Sequence, residues 1–230
     1  MIEDYAVGSK VILGILFTAL AIMFFYYGFK MFEMAYVMRN KKPLVVHGYL
    51  KLKKLSAGQR AILENQFVFF AKLSDKEKAY FEHRVALFIK DKTFIARGNL
   101  VITDEVKVLI SSTAVMLTFG FRDFYIGLID KIFVYPDAFY SHTNQNHHKG
   151  EFNPKLKALV LSWDDFKQGY NIGDDNLNLG IHEFAHAIHL NSIKERDVSS
   201  TLFRDSFSEL TTLLSKNEVL RKELIASKLP

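Results

Sequence analysis

Asn178-Leu179-Gly180-Ile181-His182-Glu183-Phe184-Ala185-His186-Ala187-Ile188-His189 is the run around which the rest of this chain has to be arranged. It is mostly apolar and free of proline, so it reads as a buried helix that carries polar groups on one side. Residues four apart share a helix face, so His182 and His186 can both aim a ring nitrogen at one ion, about 2.0–2.1 Å away. Glu183 lies about 100° round the helix and can reach a water on that ion instead of the ion itself. This is the H-E-x-x-H pattern of zinc peptidases. Buried imidazoles and a buried carboxylate need partners, and a metal supplies one. The residues therefore predict one Zn2+ held by His182 and His186, with Glu183 as the catalytic base that takes a proton from the water and passes it to the leaving amine.

Beyond the motif, His189 falls on the same helical face, but three ligands from one straight helix cannot surround a tetrahedral ion. His189 is expected as a cleft or second-shell residue. Glu209, in an apparent helix from Leu202 to Leu214, is the candidate third ligand within the chain, weighed against a plain solvated place on that helix. The polar run Ser141 to Gly150 reads as an exposed loop. A second metal site from His142, His147 and His148 is the sharper reading of that run, and a lip over the cleft the simpler one. Asp164 and Asp165 are adjacent and point to different faces, so a helix cap explains them better than a carboxylate pair.

Working toward the N-terminus, Ser56 to Lys72 and Ser74 to Lys90 read as helices opened by capping serines. A short Leu-Val-Ile piece follows Gly98, and Thr103 caps a helix over Asp104 to Thr118 that Gly120 stops. Lys131 to Tyr135 and Ala158 to Ser162 are β-rich runs of one small sheet. Helices around a short sheet, with the motif helix beside the sheet edge, predict an α+β, zincin-like domain over 55–230.

The first 36 residues read as a single transmembrane anchor. Val11 to Phe29 is free of charge, and at 1.5 Å per residue its roughly 28 Å can cross a hydrocarbon core. The acidic start Met1-Ile2-Glu3-Asp4 and the length of the apolar run argue against a cleaved signal peptide. Residues 37–54 form a basic juxtamembrane linker, and its lysines place the C-terminal domain in the cytoplasm, on the inner face of a bacterial cytoplasmic membrane. The absence of cysteine agrees with that side. The net charge of +5 sits largely in this basic stretch, where anionic lipid is the simpler partner. Nucleic acid is not expected.

Several separated segments, taken in order, resemble the Mlc titration factor A-like zinc peptidases, the glucose-regulated metallopeptidases, here in a membrane-anchored form. They are Arg84-Val85-Ala86-Leu87-Phe88-Ile89, Phe94, Ile102 to Ile110, Val134-Tyr135-Pro136-Asp137-Ala138-Phe139, Leu161-Ser162-Trp163-Asp164-Asp165 and His182 to His186. The resemblance runs from about Leu55 to Pro230. It implies a zinc-dependent peptidase, an aminopeptidase activity, a peptide or protein substrate and a transcriptional repressor as partner. It also implies a third ligand, a glutamate from a later helix, and the chain ends at Pro230 where that segment would begin. The domain is therefore expected to be C-terminally incomplete. The alternative function is a catalytically incomplete scaffold that holds a regulator at the membrane.

Overall fold

The computed structural model describes residues 2–141, 146–171 and 178–226. The chain divides into two compact units, Met1–Leu44 and Val45–Pro230.

The first unit is one helix, α1 (Ile2–Asn40). Its stretch Gly8–Asn40 is the one helix among the described residues that is long and apolar enough to cross a membrane, and its most apolar stretch is exposed throughout. An exposed helical stretch that is apolar all round suits lipid as its solvent. It runs four residues beyond the expected end of the anchor, and Lys41, in the left-handed region at φ 53°, stops it.

The second unit starts at Val45, ten residues before the expected domain boundary, because residues 46–55 are bonded onto the domain. The fully buried Arg84 donates from Nη2 to Val46 O (3.0 Å) and from Nε to the Tyr49 hydroxyl (2.6 Å). Lys53 N–H donates to His83 Nδ1 (2.8 Å) and Leu55 N–H to Glu82 (2.9 Å).

The helix expected over Ser56–Lys72 is two, α2 (Ala57–Gln66) and α3 (Val68–Ala71). Phe67 leaves the helical region (φ −113°, ψ 91°) so that its ring can be buried beside Phe81. This is tertiary packing overriding local propensity. Capping boxes at Ser56 and Ser74 open α2 and α4 (Asp75–Asp91). The first strand is β1 (Thr93–Ala96), ahead of Gly98, and the Leu-Val-Ile piece after it is not a strand. Thr103 caps α5 (Asp104–Leu117) by accepting from Val106 N–H. Nine residues of α5 are buried, which makes it the central helix, with α2, α4 and the motif helix packed on it.

β2 (Lys131–Tyr135) follows as expected. The run expected as an exposed loop instead holds strands. β3 (Phe139–Ser141) and β4 (Asn146–His148) form a hairpin with Phe139 opposite His148, and β5 (Gly150–Asn153) starts just after it. With β6 (Ala158–Ser162) the main sheet has the order β1-β2-β6-β5. β1, β2 and β6 run parallel, and β5 pairs antiparallel with β6 at the edge. α6 (Trp163–Asn171), α7 (Leu179–Lys194), α8 (Val198–Lys216) and α9 (Glu218–Ala226) complete the unit. α8 begins four residues earlier than expected because Asp197 Oδ1 accepts from Ser200 N–H. The architecture is α+β, mostly helical, around a small sheet. Phe70, Phe81, Phe88, Ile110, Ile132, Leu159, Phe166 and Phe184 fill its core.

Candidate active site

Local chemistry fixes the start of α7. Asn178 Oδ1 accepts from Ile181 N–H (3.0 Å) while its Nδ2 donates to Gly169 O (2.9 Å) on α6, so one side chain caps the helix and ties it to its neighbour. Two residues on, a Cβ at Gly180 would lie 2.4 Å from Phe166 Cε2, so a residue with no Cβ is needed for α7 to lie this close to α6. The stripe Gly180, Glu183, Phe184, Ala187 and Ile188 is buried, with Phe184 set edge-on to Phe88. That packing turns Ala185 and His186 outward to solvent and leaves His182 half-buried.

The two histidines converge. His182 Nε2 and His186 Nε2 are 3.1 Å apart, with ring planes at 89°. Two nitrogens bound to one tetrahedral zinc at 2.0–2.1 Å stand about 3.3 Å apart, so the pair fits two positions of such an ion. Burial, and then the neighbouring His186, hold the His182 pKa below its ordinary value. The ring is thereby kept in the neutral form that can donate a lone pair.

Glu183, 7 % exposed, is pressed against the sheet edge. A Cβ at Gly150 would lie 2.7 Å from Glu183 Cγ and 2.8 Å from Oε1, so the first residue of β5 packs directly on the carboxylate. Burial, and then the charge of Glu151, push the Glu183 pKa up to about 7, against the Phe152 backbone N–H that stabilises the ionised form. A carboxyl group balanced at that value can both accept and release a proton near neutrality. β5 is itself clamped. Lys149 Nζ pairs with Asp165 at 2.6 Å, and Lys149 O accepts from Ser162 N–H. Burial alone would raise the Asp165 pKa, but Lys149 and Ser162 outweigh it and lower it. Ser162, whose Oγ accepts from Asp165 N–H, caps α6, and both aspartates sit in its first turn.

Lys149 and Gly150 end the polar run whose simpler reading is a lip over the cleft, but nothing local marks them, or Glu151, as neighbours of Glu183. Only the pairing of β5 with β6, and of α7 against both, brings them to Glu183.

The other expected residues lie elsewhere. The His189 ring lies 4.5 Å from that of Phe207 on α8, tilted by 46°, and beside Phe203, and its Nδ1 is buried without a hydrogen-bond partner. Glu209 lines a groove with Leu213 and Val219 at the α8–α9 junction. Among the described residues no group of three His, Cys, Asp or Glu is placed to hold a metal, so neither residue joins the His182–His186 pair in this structure. Of the second metal site, His142 lies outside the described residues, as does the side chain of His147, while His148 is in the β3–β4 hairpin.

The sequence as a whole matches known proteins. The sequence model of the glucose-regulated metallopeptidases, M90, matches residues 38–198, from the end of α1 through the motif helix. An uncharacterized protein of Synechocystis (slr2042) is 30 % identical over 142 residues, which is 57 % of this chain and 52 % of the relative. The chain thus spans about half the length of that relative. The match covers most of the sequence and includes the whole of the His182–Glu183–His186 arrangement, so the chain belongs to the glucose-regulated metallopeptidase family, M90.

Proposed function

We propose that this chain hydrolyses peptide bonds as a zinc-dependent metallopeptidase held at a membrane by α1. The observation that carries the reading is the pair of Nε2 atoms 3.1 Å apart, with a buried carboxylate on the intervening turn whose pKa is near 7. His182 and His186 hold the metal. A zinc ion there supplies Lewis acidity toward a peptide carbonyl and toward water. Glu183 holds a proton on its carboxylate and returns it to the leaving amine, and the Phe152 N–H and Gly150 keep that carboxylate in place. Glu209 is the third donor to be tested within the chain, and His189 steadies the far end of α7 through the α8 phenylalanines.

An aminopeptidase specificity, a cytoplasmic placement of the domain at a bacterial inner membrane and a transcriptional repressor as partner belong to the same reading. They rest on the family and on the basic residues that follow α1. A second reading, a binding scaffold without hydrolysis, is favoured by one observation: no third donor joins the histidines among the described residues.

Glu183→Gln separates the two. For a peptidase it abolishes hydrolysis of peptide and aminoacyl-p-nitroanilide substrates while zinc content stays at the native value. Undiminished hydrolysis in that variant would refute the mechanism, and no hydrolysis by the native, zinc-loaded chain would support the scaffold.

A further inference from the structure

The second unit carries a groove of about 590 Å³ whose charged lining is wholly basic, with Lys51, Lys53 and Lys54 from the segment ahead of α2 and Lys90 from the end of α4. Leu52 and Ile89 lie among these lysines, and among the described residues no carboxylate lines the groove. The acids that bond its walls are engaged: Asp104 accepts from Gln59 Nε2 (2.9 Å), and Glu82 accepts from Leu55 N–H and pairs with Arg60. Four like charges on one concave wall repel one another, and an anion that enters relieves that repulsion. The lysines do not lie on a loose tether. Lys53 is held by its own N–H bond to His83 and Leu55 by its bond to Glu82, while Lys90 reaches the same groove only through the fold.

We propose that this groove binds the phosphate headgroups of anionic phospholipids in the membrane that α1 crosses. The inference rests on reading α1 as a membrane anchor. Ten residues lie between Asn40, the end of α1, and Lys51, so the chain from one to the other spans at most about 40 Å. Tethering of that length keeps the groove within reach of headgroups at a high effective concentration, which no dissolved acidic protein matches. Lysines beside a membrane helix gain from the negative surface potential of anionic lipid, and an ammonium group binds phosphate as a point charge. Leucine and isoleucine among those charges suit the glycerol and first methylenes behind a headgroup.

The test uses the full chain in nanodiscs of phosphatidylcholine, with and without about 30 % phosphatidylglycerol, and reads lysine acetylation rates by mass spectrometry. Headgroup binding slows Lys90 about fivefold in the anionic discs, leaves Lys155 and Lys222 unchanged, and is lost in 0.5 M salt, as screening of surface charge requires. Lys90 decides the result, because a lysine cluster that merely trails from the membrane would protect Lys51, Lys53 and Lys54 without it. An unchanged Lys90 in discs that hold the chain overturns the headgroup site alone. Failure of the chain to co-purify with discs of either composition overturns the anchor reading, and the site with it. Protection of Lys90 in neutral discs by a poly-glutamate peptide, with none from anionic lipid, overturns it in favour of an acidic protein.

Discussion

Gly150→Ala tests the contact between β5 and the carboxylate of Glu183. The added Cβ would sit 2.7 Å from Glu183 Cγ, 2.8 Å from Glu183 Oε1 and 2.7 Å from Leu179 Cδ1. Carbon atoms in good contact are about 3.5–4.0 Å apart, so Glu183 or the strand must move by about 1 Å. The strand is not free to yield, since Lys149 is fixed to Asp165 and to Ser162 N–H. Overpacking of this kind costs about 1–3 kcal/mol, and displacement of a reacting group by about 1 Å costs up to about 100-fold in rate. The expected result is a 10- to 100-fold loss of kcat on peptide substrate, a lowered Tm and unchanged zinc content, because the atoms nearest the added Cβ belong to Glu183 and Leu179 and not to either histidine. Gly127→Ala is the control. Its Cβ would meet Asn191 Oδ1 at 3.5 Å, an ordinary contact, and it should change stability by no more than about 0.5 kcal/mol. Full activity and an unmoved Tm in Gly150→Ala would refute the claim that β5 positions the base.

Three further outcomes follow from the same geometry. Arg84→Met leaves the carbonyls of Val46, Thr118 and Phe119 and the Tyr49 hydroxyl without their donor. It should lower stability by about 3–5 kcal/mol in urea unfolding, and a loss below about 1 kcal/mol would contradict the role given to Arg84. Acid should loosen residues 46–55. Burial, then Arg84, depress the His47 pKa from 6.5 to about 4 against the opposing pull of Glu77. Burial, then Lys53 and Arg84, lower that of His83, whose Nδ1 accepts from Lys53 N–H. Both rings are neutral when folded and take up protons when unfolded below about pH 6.5. Their contribution, about 1–2 kcal/mol after allowance for solvent screening, is therefore complete above that pH and is lost as pH falls toward 4. His47→Phe, which can keep the stack on Tyr80, should flatten the fall of Tm with acid, and an unaltered slope would show that His47 does not drive it. Glu209→Ala should lower zinc per chain if α8 supplies the third donor, and elemental analysis that finds the native stoichiometry would assign the donor elsewhere.

Features that neighbours along the chain control were legible before any fold was known. Nineteen uncharged residues forced a membrane-length helix, the serines at 56 and 74 and Thr103 opened helices by capping free N–H groups, and His182 and His186 had to share a face because α-helical periodicity puts residues four apart together. The family was legible for the same reason, since its motifs are short and ordered along the chain. Where the sequence reading failed, a distant partner decided. Phe67 broke a helix to fill the core, residues 46–55 became part of the domain through a guanidinium 38 residues from Val46, and the polar run forms strands because β4 pairs back on β3 while Gly150, at its end, joins β6. Only the tertiary structure placed Gly150 and Glu151 against Glu183, and so raised a carboxyl group that the sequence marks as an ordinary acid into the range where it can exchange a proton at neutral pH. Burial and the field of a neighbouring charge are properties of assembled surfaces, and no spacing along the chain encodes them.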